Sequence, residues 1–191
     1  MFDLLLPFFL LVLFLLTLSI IWRINARKYI SSGTVASAYD AWTEDKLLER
    51  LWGEHIHLGF YPSGKKNLDF REAKVQFVHE LVKWSGLDKL PKGSRILDVG
   101  CGIGGSSRIL AKYYGFNVTG ITISPAQVKR ARELTPSGLN CNFQVMDALD
   151  LEFEDGSFDG VWSVEAGAHM NDKTKFADEI LRTLRPGGYL A

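Results

Sequence analysis

Hydrophobic and polar positions change their period twice along this chain. From Leu4 to Trp22, nineteen consecutive residues carry no charge, and most are Leu, Phe, Val or Ile. Wound as a helix at ~1.5 Å per residue, that run reaches ~28 Å, close to the ~30 Å of a bilayer core. Over residues 68–84, apolar side chains recur at helical spacing (Phe70, Ala73, Phe77, Leu81, Trp84), which predicts an amphipathic helix. From Arg95 short apolar runs take over, at Arg95–Val99, Asn117–Ile121, Asn142–Met146 and Phe158–Ser163. They alternate with helical stretches at Ser106–Tyr114, Pro125–Leu134 and Lys173–Leu184. This rhythm predicts an α/β fold, a Rossmann-like doubly wound parallel sheet covered by helices. Arg185–Gly188 reads as a turn, and Tyr189-Leu190-Ala191 as the start of a fifth strand. Parallel strands buried on both faces need neighbours. The sheet is therefore expected to be incomplete at its C-terminal side, and the chain to be a piece of a longer protein.

Three segments are expected: a transmembrane anchor over 1–24, an N-terminal helical cap or substrate segment over 25–93, and a partial core over 94–191. A cleaved signal peptide is the rival reading of the first segment. It wants basic residues before the apolar run and small residues after it; here Asp3 precedes and Trp22-Arg23-Ile24-Asn25 follows. Arg23, Arg27 and Lys28 lie beyond the run, with no acid before Asp40. By the positive-inside tendency, a single-pass anchor then leaves the globular part on the cytoplasmic or stromal side. Trp22 is expected at the interface. Composition narrows the partners. The chain has 22 basic and 22 acidic side chains, and a nucleic-acid partner usually leaves a basic surplus, so none is expected. Cys101 and Cys141 are the only cysteines; they make neither a disulfide framework nor a metal site, and a reducing compartment is expected.

The candidate chemistry begins in "RILDVGCGIGGSSRIL", residues 95–110. Gly100, Gly102 and Gly105 satisfy G-x-G-x-x-G, a loop that lets backbone approach a ligand at a helix N-terminus. An NAD site also needs an acid about 20 residues further on. No acid occurs between Asp98 and Glu133, and Arg108, Arg130 and Arg132 fall on predicted helices rather than a strand end. NAD(P) is disfavoured. With Asp98 included, Asp98-Val99-Gly100-Cys101-Gly102-Ile103-Gly104 resembles the first motif of the class I S-adenosylmethionine (SAM) methyltransferases. The likeness runs over Arg95–Ala191 and includes Pro186-Gly187-Gly188 before the fifth strand. It implies SAM as cofactor, held by Asp98, Gly100, Gly102 and Gly104, with Asp147-Ala148 at the adenine. The other reading of Asp98 is a carboxylate that tightens the loop through backbone N–H groups. Most relatives carry an acid after the second strand; this chain has Thr122, in Gly120-Ile121-Thr122-Ile123-Ser124-Pro125-Ala126-Gln127. That stretch resembles the lipid-modifying branch, with its cyclopropane-fatty-acid and sterol types, where Thr122 and Gln127 would serve the ribose by neutral hydrogen bonds. Gln127 reads equally well as the third residue of a capping box begun by Ser124 and Pro125.

Residues 38–62, "AYDAWTEDKLLERLWGEHIHLGFYP", resemble the tocopherol-pathway methyltransferases and, more distantly, the sterol methyltransferases. Tyr39-Asp40, Trp52-Gly53, His55-x-His57 and Gly59-Phe60-Tyr61 carry that likeness, together with Gly100–Lys112 and Trp162–Met170. It implies methyl transfer from SAM to a ring carbon of a prenylated benzoquinol, with a 2-methyl-6-phytyl- or solanesyl-1,4-benzoquinol as substrate. Alternatives are γ-tocopherol or a sterol-like lipid as acceptor, or an inactive SAM-binding membrane fragment. A ring carbon becomes nucleophilic when the neighbouring phenol shares its proton, so a base must stand near the hydroxyl. Glu165 and His169 are four apart and face one site if the segment turns as a helix. His169 suits the base role by its ordinary pKa, or it is a polar rim residue. Tyr39, Trp52, His55 and His57 are expected to line or cover the substrate. Two histidines are too few for a metal site, and none is expected. A lipophilic quinol lives in a bilayer, so the membrane is the expected partner: thylakoid, plasma or plastid envelope.

Overall fold

A computed structural model describes residues 2–26, 34–63 and 68–191. Five strands form one parallel sheet: β1 (Arg95–Val99), β2 (Asn117–Thr122), β3 (Cys141–Val145), β4 (Phe158–Trp162) and β5 (Leu184–Leu190), in the order β3-β2-β1-β4-β5. In β1 only Arg95 is exposed, whereas the edge strands β3 and β5 are largely open to one side. Strands covered on both faces read as continuous apolar runs, which is why β1 and β4 stood out in the sequence. The α/β expectation holds, and three of the first four strands begin where the apolar runs do.

The helices are α1 (Phe2–Ala26), α2 (Val35–Glu44), α3 (Leu47–Trp52), α4 (Phe70–Ser85), α5 (Gly105–Tyr114), α6 (Pro125–Leu134) and α7 (Lys173–Thr183). Their ends follow local chemistry. Asp69 caps α4 by accepting from Arg71 and Glu72 N–H, and Gly86 ends it at φ +79°. Ser124 caps α6 ahead of Pro125, a position where proline's missing N–H costs nothing. One core layer packs Val78, Val82, Leu87, Ile96, Leu110, Phe116 and Trp162 between α4, α5 and the sheet. The opposite layer joins Leu97, Val99, Val161 and Ile180 of α7. Both cysteines are free thiols.

Three expectations need adjustment. The predicted turn at 185–188 lies inside β5: Phe158 pairs with Leu184, Gly160 with Tyr189, and the register shifts between them. Pro186 and Gly187 (φ +75°) interrupt the ladder as a bulge, which an edge strand tolerates. After β4 the chain does not continue as a helical turn from Glu165. Glu165 is left-handed at φ +58°, and only Gly167–His169 form a short 3-10 turn. At the N-terminus, α1 exists, and every residue from Phe9 to Trp22 is exposed, Phe9 at 63% and Trp22 at 70%. Among the described residues, however, no helix is long and apolar enough to cross a membrane. The expected single-pass span is therefore not shown. Its basic flank at Arg27 and Lys28 lies outside the described residues.

Candidate active site

The sheet order sets the site. The chain winds outward from β1 through β2 to β3, then returns to the other side of β1 for β4 and β5. Crevices in such sheets open outside the carboxyl ends of the strands, where that reversal occurs. A cavity of about 380 Å³ lies there. Asp98 and Gly100 reach it from β1, Thr122 from β2, Asp147 and Ala148 from β3, and Trp162 from β4. Tyr39 and residues 54–57 cover it from the cap.

The glycine loop divides its work among its residues. Gly100 N and Cys101 N both donate to Ile121 O at 2.9 Å, which turns the chain sharply off β1. Gly100 lines the cavity, but a Cβ there would fall 2.5 Å from the Ala166 Cβ. Gly104 does not line it: its Cβ would strike Phe143 at 2.6 Å and Arg108 at 2.9 Å, so this glycine serves packing behind the loop. Gly102, at φ +55°, is different. Its Cβ would meet nothing closer than Gln127 Nε2 at 4.0 Å, so bare backbone faces the cavity. Gly105, counted only as part of the loop motif, is where the cap rests; a Cβ there would meet Glu54 O at 2.6 Å and His55 at 2.9 Å.

Asp98 is buried, and Ser107 Oγ donates to its Oδ2 at 2.5 Å. Burial pushes its pKa up to about 7, against the pull of that hydroxyl. The N–H groups of Gly100 and Cys101 bond to Ile121 O and that of Gly104 to Cys101 O, while the side-chain partner of Asp98 is Ser107. Thr122 Oγ1 donates to Gln127 Oε1 at 2.7 Å and accepts from Ser124 N at 3.3 Å. Only half of the capping box forms: Ser124 Oγ accepts from Gln127 N at 3.1 Å, while the Gln127 amide turns to Thr122. The threonine's only donor is thereby spent, and the Gln127 Nε2 end is left toward Gly102. Asp147 lines the cavity and accepts from Leu149 N at 2.9 Å.

On the cap side, Tyr39 Oη and His169 Nε2 share a hydrogen bond of 3.0 Å, and both residues line the cavity. His55 Nδ1 lies 3.1 Å from His57 Nε2, and His57 Nδ1 lies 2.7 Å from Leu58 O. Glu165 lines the cavity too, but its Oε1 accepts from Leu58 N at 3.0 Å; it holds the cap segment. Trp52 is half exposed and does not line the cavity; it stands edge-on to Phe70, and Lys74 Nζ lies 5.4 Å from its ring centre. Among the described residues no group of three His, Cys, Asp or Glu is placed to hold a metal.

Sequence reasoning missed what clasps the cap to the core. Asp40 Oδ1 accepts from Ser124 Oγ at 2.5 Å and Ala126 N at 3.1 Å, at the start of α6. Glu49 grips Arg130 through two bonds of 2.7 and 2.8 Å. Glu54 meets the buried Arg108 at 2.6 Å. Within the cap itself, buried Lys74 donates to Trp52 O at 3.0 Å and His55 O at 2.7 Å. The only signal was compositional: acids in the cap, arginines on core helices that no cofactor explained.

Residues 97–191 match the family model for the methyltransferase domain, and the chain belongs to that family. S-adenosyl-L-methionine is the cofactor such a domain takes; a phosphoethanolamine N-methyltransferase 2 of Haemonchus contortus solved with it aligns at a TM-score of 0.63 and 27% identity, over 82% of this chain and 33% of that one. The chain is 62% identical over 170 residues to 2-methyl-6-phytyl-1,4-hydroquinone methyltransferase of Synechocystis sp., covering 89% of this chain and 54% of the relative. It is 45% identical over 152 residues to the chloroplastic tocopherol O-methyltransferase of Arabidopsis thaliana, covering 74% of this chain and 44% of the relative. The chain thus spans about half the length of the curated relatives it matches. The residues present fit the cofactor. Open backbone at Gly102, an amide at Gln127 and a carboxylate at Asp147 lie along one crevice, as a ligand with an amino-acid end, a ribose and a base requires.

Proposed function

We propose that this cavity transfers a methyl group to a ring carbon of a prenylated benzoquinol. The observation that carries the reading is the joining of two features in one cavity, the Gly102 cradle below and two hydrogen-bonded pairs above, Tyr39 with His169 and His55 with His57. The 62% identical hydroquinone methyltransferase supports the substrate class. S-adenosyl-L-methionine, when bound, supplies an electrophilic methyl. Asp98, Gly100, Gly102, Gln127, Asp147 and Ala148 hold it, Thr122 orients Gln127, and Gly104 supports the loop from behind. His169, bonded to Tyr39, is the base that draws the proton from the phenol beside the accepting carbon. Glu165 keeps the cap in place. A low-water cavity favours the reaction, because positive charge is dispersed as the methyl moves.

In this reading residues 94–191 carry the cofactor, 25–93 cover the substrate, and 1–24 meet the membrane. The exposed apolar face of α1 supports the last part; a prenyl tail partitions into the same bilayer. The tocopherol O-methyltransferase likeness favours a second reading, in which a phenolic oxygen of a tocopherol accepts the methyl in the same cavity. The test is methylation by the protein in lipid vesicles, with 2-methyl-6-phytylbenzoquinol, a solanesyl analogue, γ-tocopherol and a sterol offered separately. Turnover on the quinols above all others is expected. Turnover on γ-tocopherol alone, or on none, overturns the proposal.

A further inference from the structure

The two cap histidines form a chain whose proton positions follow from hydrogen-bond chemistry. His57 Nδ1 is 2.7 Å from Leu58 O, and a carbonyl only accepts, so Nδ1 carries the proton. Burial lowers the His57 pKa, against the pull of Leu58 O and Glu165, and so favours the neutral ring, whose Nε2 bears a lone pair and no hydrogen once Nδ1 holds the proton. His55 Nδ1, 3.1 Å from that Nε2, must therefore donate. A neutral His55 protonated on Nδ1 has a bare lone pair on Nε2. It stays neutral, because burial first and the adjacent His57 second bring its pKa down to about 3.

The backbone around the pair is held as well. Glu165 Oε1 binds Leu58 N at 3.0 Å, and Lys74 Nζ binds His55 O at 2.7 Å. The His55 ring packs where Gly105 has no side chain, with Cε1 2.9 Å from the missing Cβ position. Turning either ring to offer a proton would break the chain, and both residues line the cavity.

We propose that His55 Nε2 accepts a hydroxyl of the substrate, and that this locked acceptor selects the reduced quinol over the oxidised quinone. The inference rests on the quinol reading above and deepens it. A quinol O–H donates to the bare nitrogen. A quinone would set a carbonyl lone pair against the nitrogen's own, with no proton between them. A site built to receive a hydroxyl rejects analogues that lack one, by about 10- to 100-fold where the polar groups are left unpaired. The selection is useful, since a quinone ring offers no nucleophilic carbon and would occupy the cavity unproductively.

The test uses the full chain with S-adenosylhomocysteine bound, without oxygen, and a short-tailed quinol and its quinone as probes. Nitrogen-15 spectra of the imidazoles should show His55 protonated on Nδ1 and bare on Nε2, with the Nε2 signal moved by quinol and unmoved by quinone. Calorimetry should find the quinol at least about tenfold tighter, with His55→Phe bringing the two within about threefold. The opposite tautomer, equal affinities in the unaltered protein, or selectivity that survives His55→Phe would each overturn the proposal. Where the unaltered protein methylates a quinol yet binds both forms alike, this inference falls and the proposed reaction stands. Where neither form binds and no quinol is methylated, both fall.

Discussion

Gly102 and Gly104 look alike in the sequence, yet the structure gives them different work, and a pair of substitutions separates the two. Valine at Gly102 must adopt a positive φ, at a cost of about 1–2 kcal/mol, and its side chain projects into cofactor space. SAM affinity measured by calorimetry should fall by tenfold or more, with a modest drop in melting temperature. Alanine at Gly104 meets Phe143 and Arg108, so stability should fall by about 2–4 kcal/mol, with the larger signal in the melt. Asp98 was legible as a motif acid; its partner Ser107 was not, because that bond depends on how α5 lies over β1. Its raised pKa has a pH signature. Between about pH 4 and 7 the folded chain binds a proton at Asp98 that the unfolded chain, at 3.8, does not. That contribution is complete below the unfolded value and is lost as pH rises through about 7. The melting temperature of the unaltered protein, less that of Asp98→Asn, should fall over this window and be flat above it. His55 acts oppositely: with a folded value near 3 against 6.5, it costs stability as pH falls below about 6.5. His55→Phe should therefore soften acid unfolding, which melts across pH 4–7 will show.

At the scale of elements, periodicity and capping made α5, α6 and α7 readable to within a residue at either end, because Gly115, Ser124 and the Lys173 start are local signals. What depends on distant partners was not readable. Glu165 leaves helical geometry while its carboxylate reaches Leu58 N, more than a hundred residues earlier. The docking of α2 on α6 is the sharpest case. Asp40 supplies a charged acceptor at the α6 N-terminus, where negative charge is favoured, and thereby holds Tyr39 beside His169. Asp40→Ala should cost about 1–3 kcal/mol and weaken substrate binding more than SAM binding. Asp40→Asn keeps the accepting oxygen and should recover most of the loss. Equal effects of the two variants in melts and calorimetry would show that this clasp does not hold α2.

At the scale of the whole molecule, alternation along the chain points to the α/β class, while the order β3-β2-β1-β4-β5 rests on pairings between distant segments that the alternation does not carry. The cap's placement over the cavity rests on ion pairs and hydrogen bonds between residues 54 to 86 positions apart, which no window of sequence contains. The proposed membrane role of α1 is tested by vesicle sedimentation. The intact chain should pellet with vesicles and remain there in high salt, and a chain lacking residues 1–26 should stay in solution with SAM affinity within about threefold. Release by salt alone would contradict an apolar attachment. The reaction itself is tested most directly by following the methyl. The protein is given SAM labelled with carbon-13 in its methyl group and a reduced 2-methyl-6-phytylbenzoquinol, and the product is analysed by carbon NMR. The account predicts the label on a ring carbon, at a rate that falls sharply in both Gly102→Val and His169→Phe. Label on a phenolic oxygen, or no labelled product from the intact protein, would contradict it.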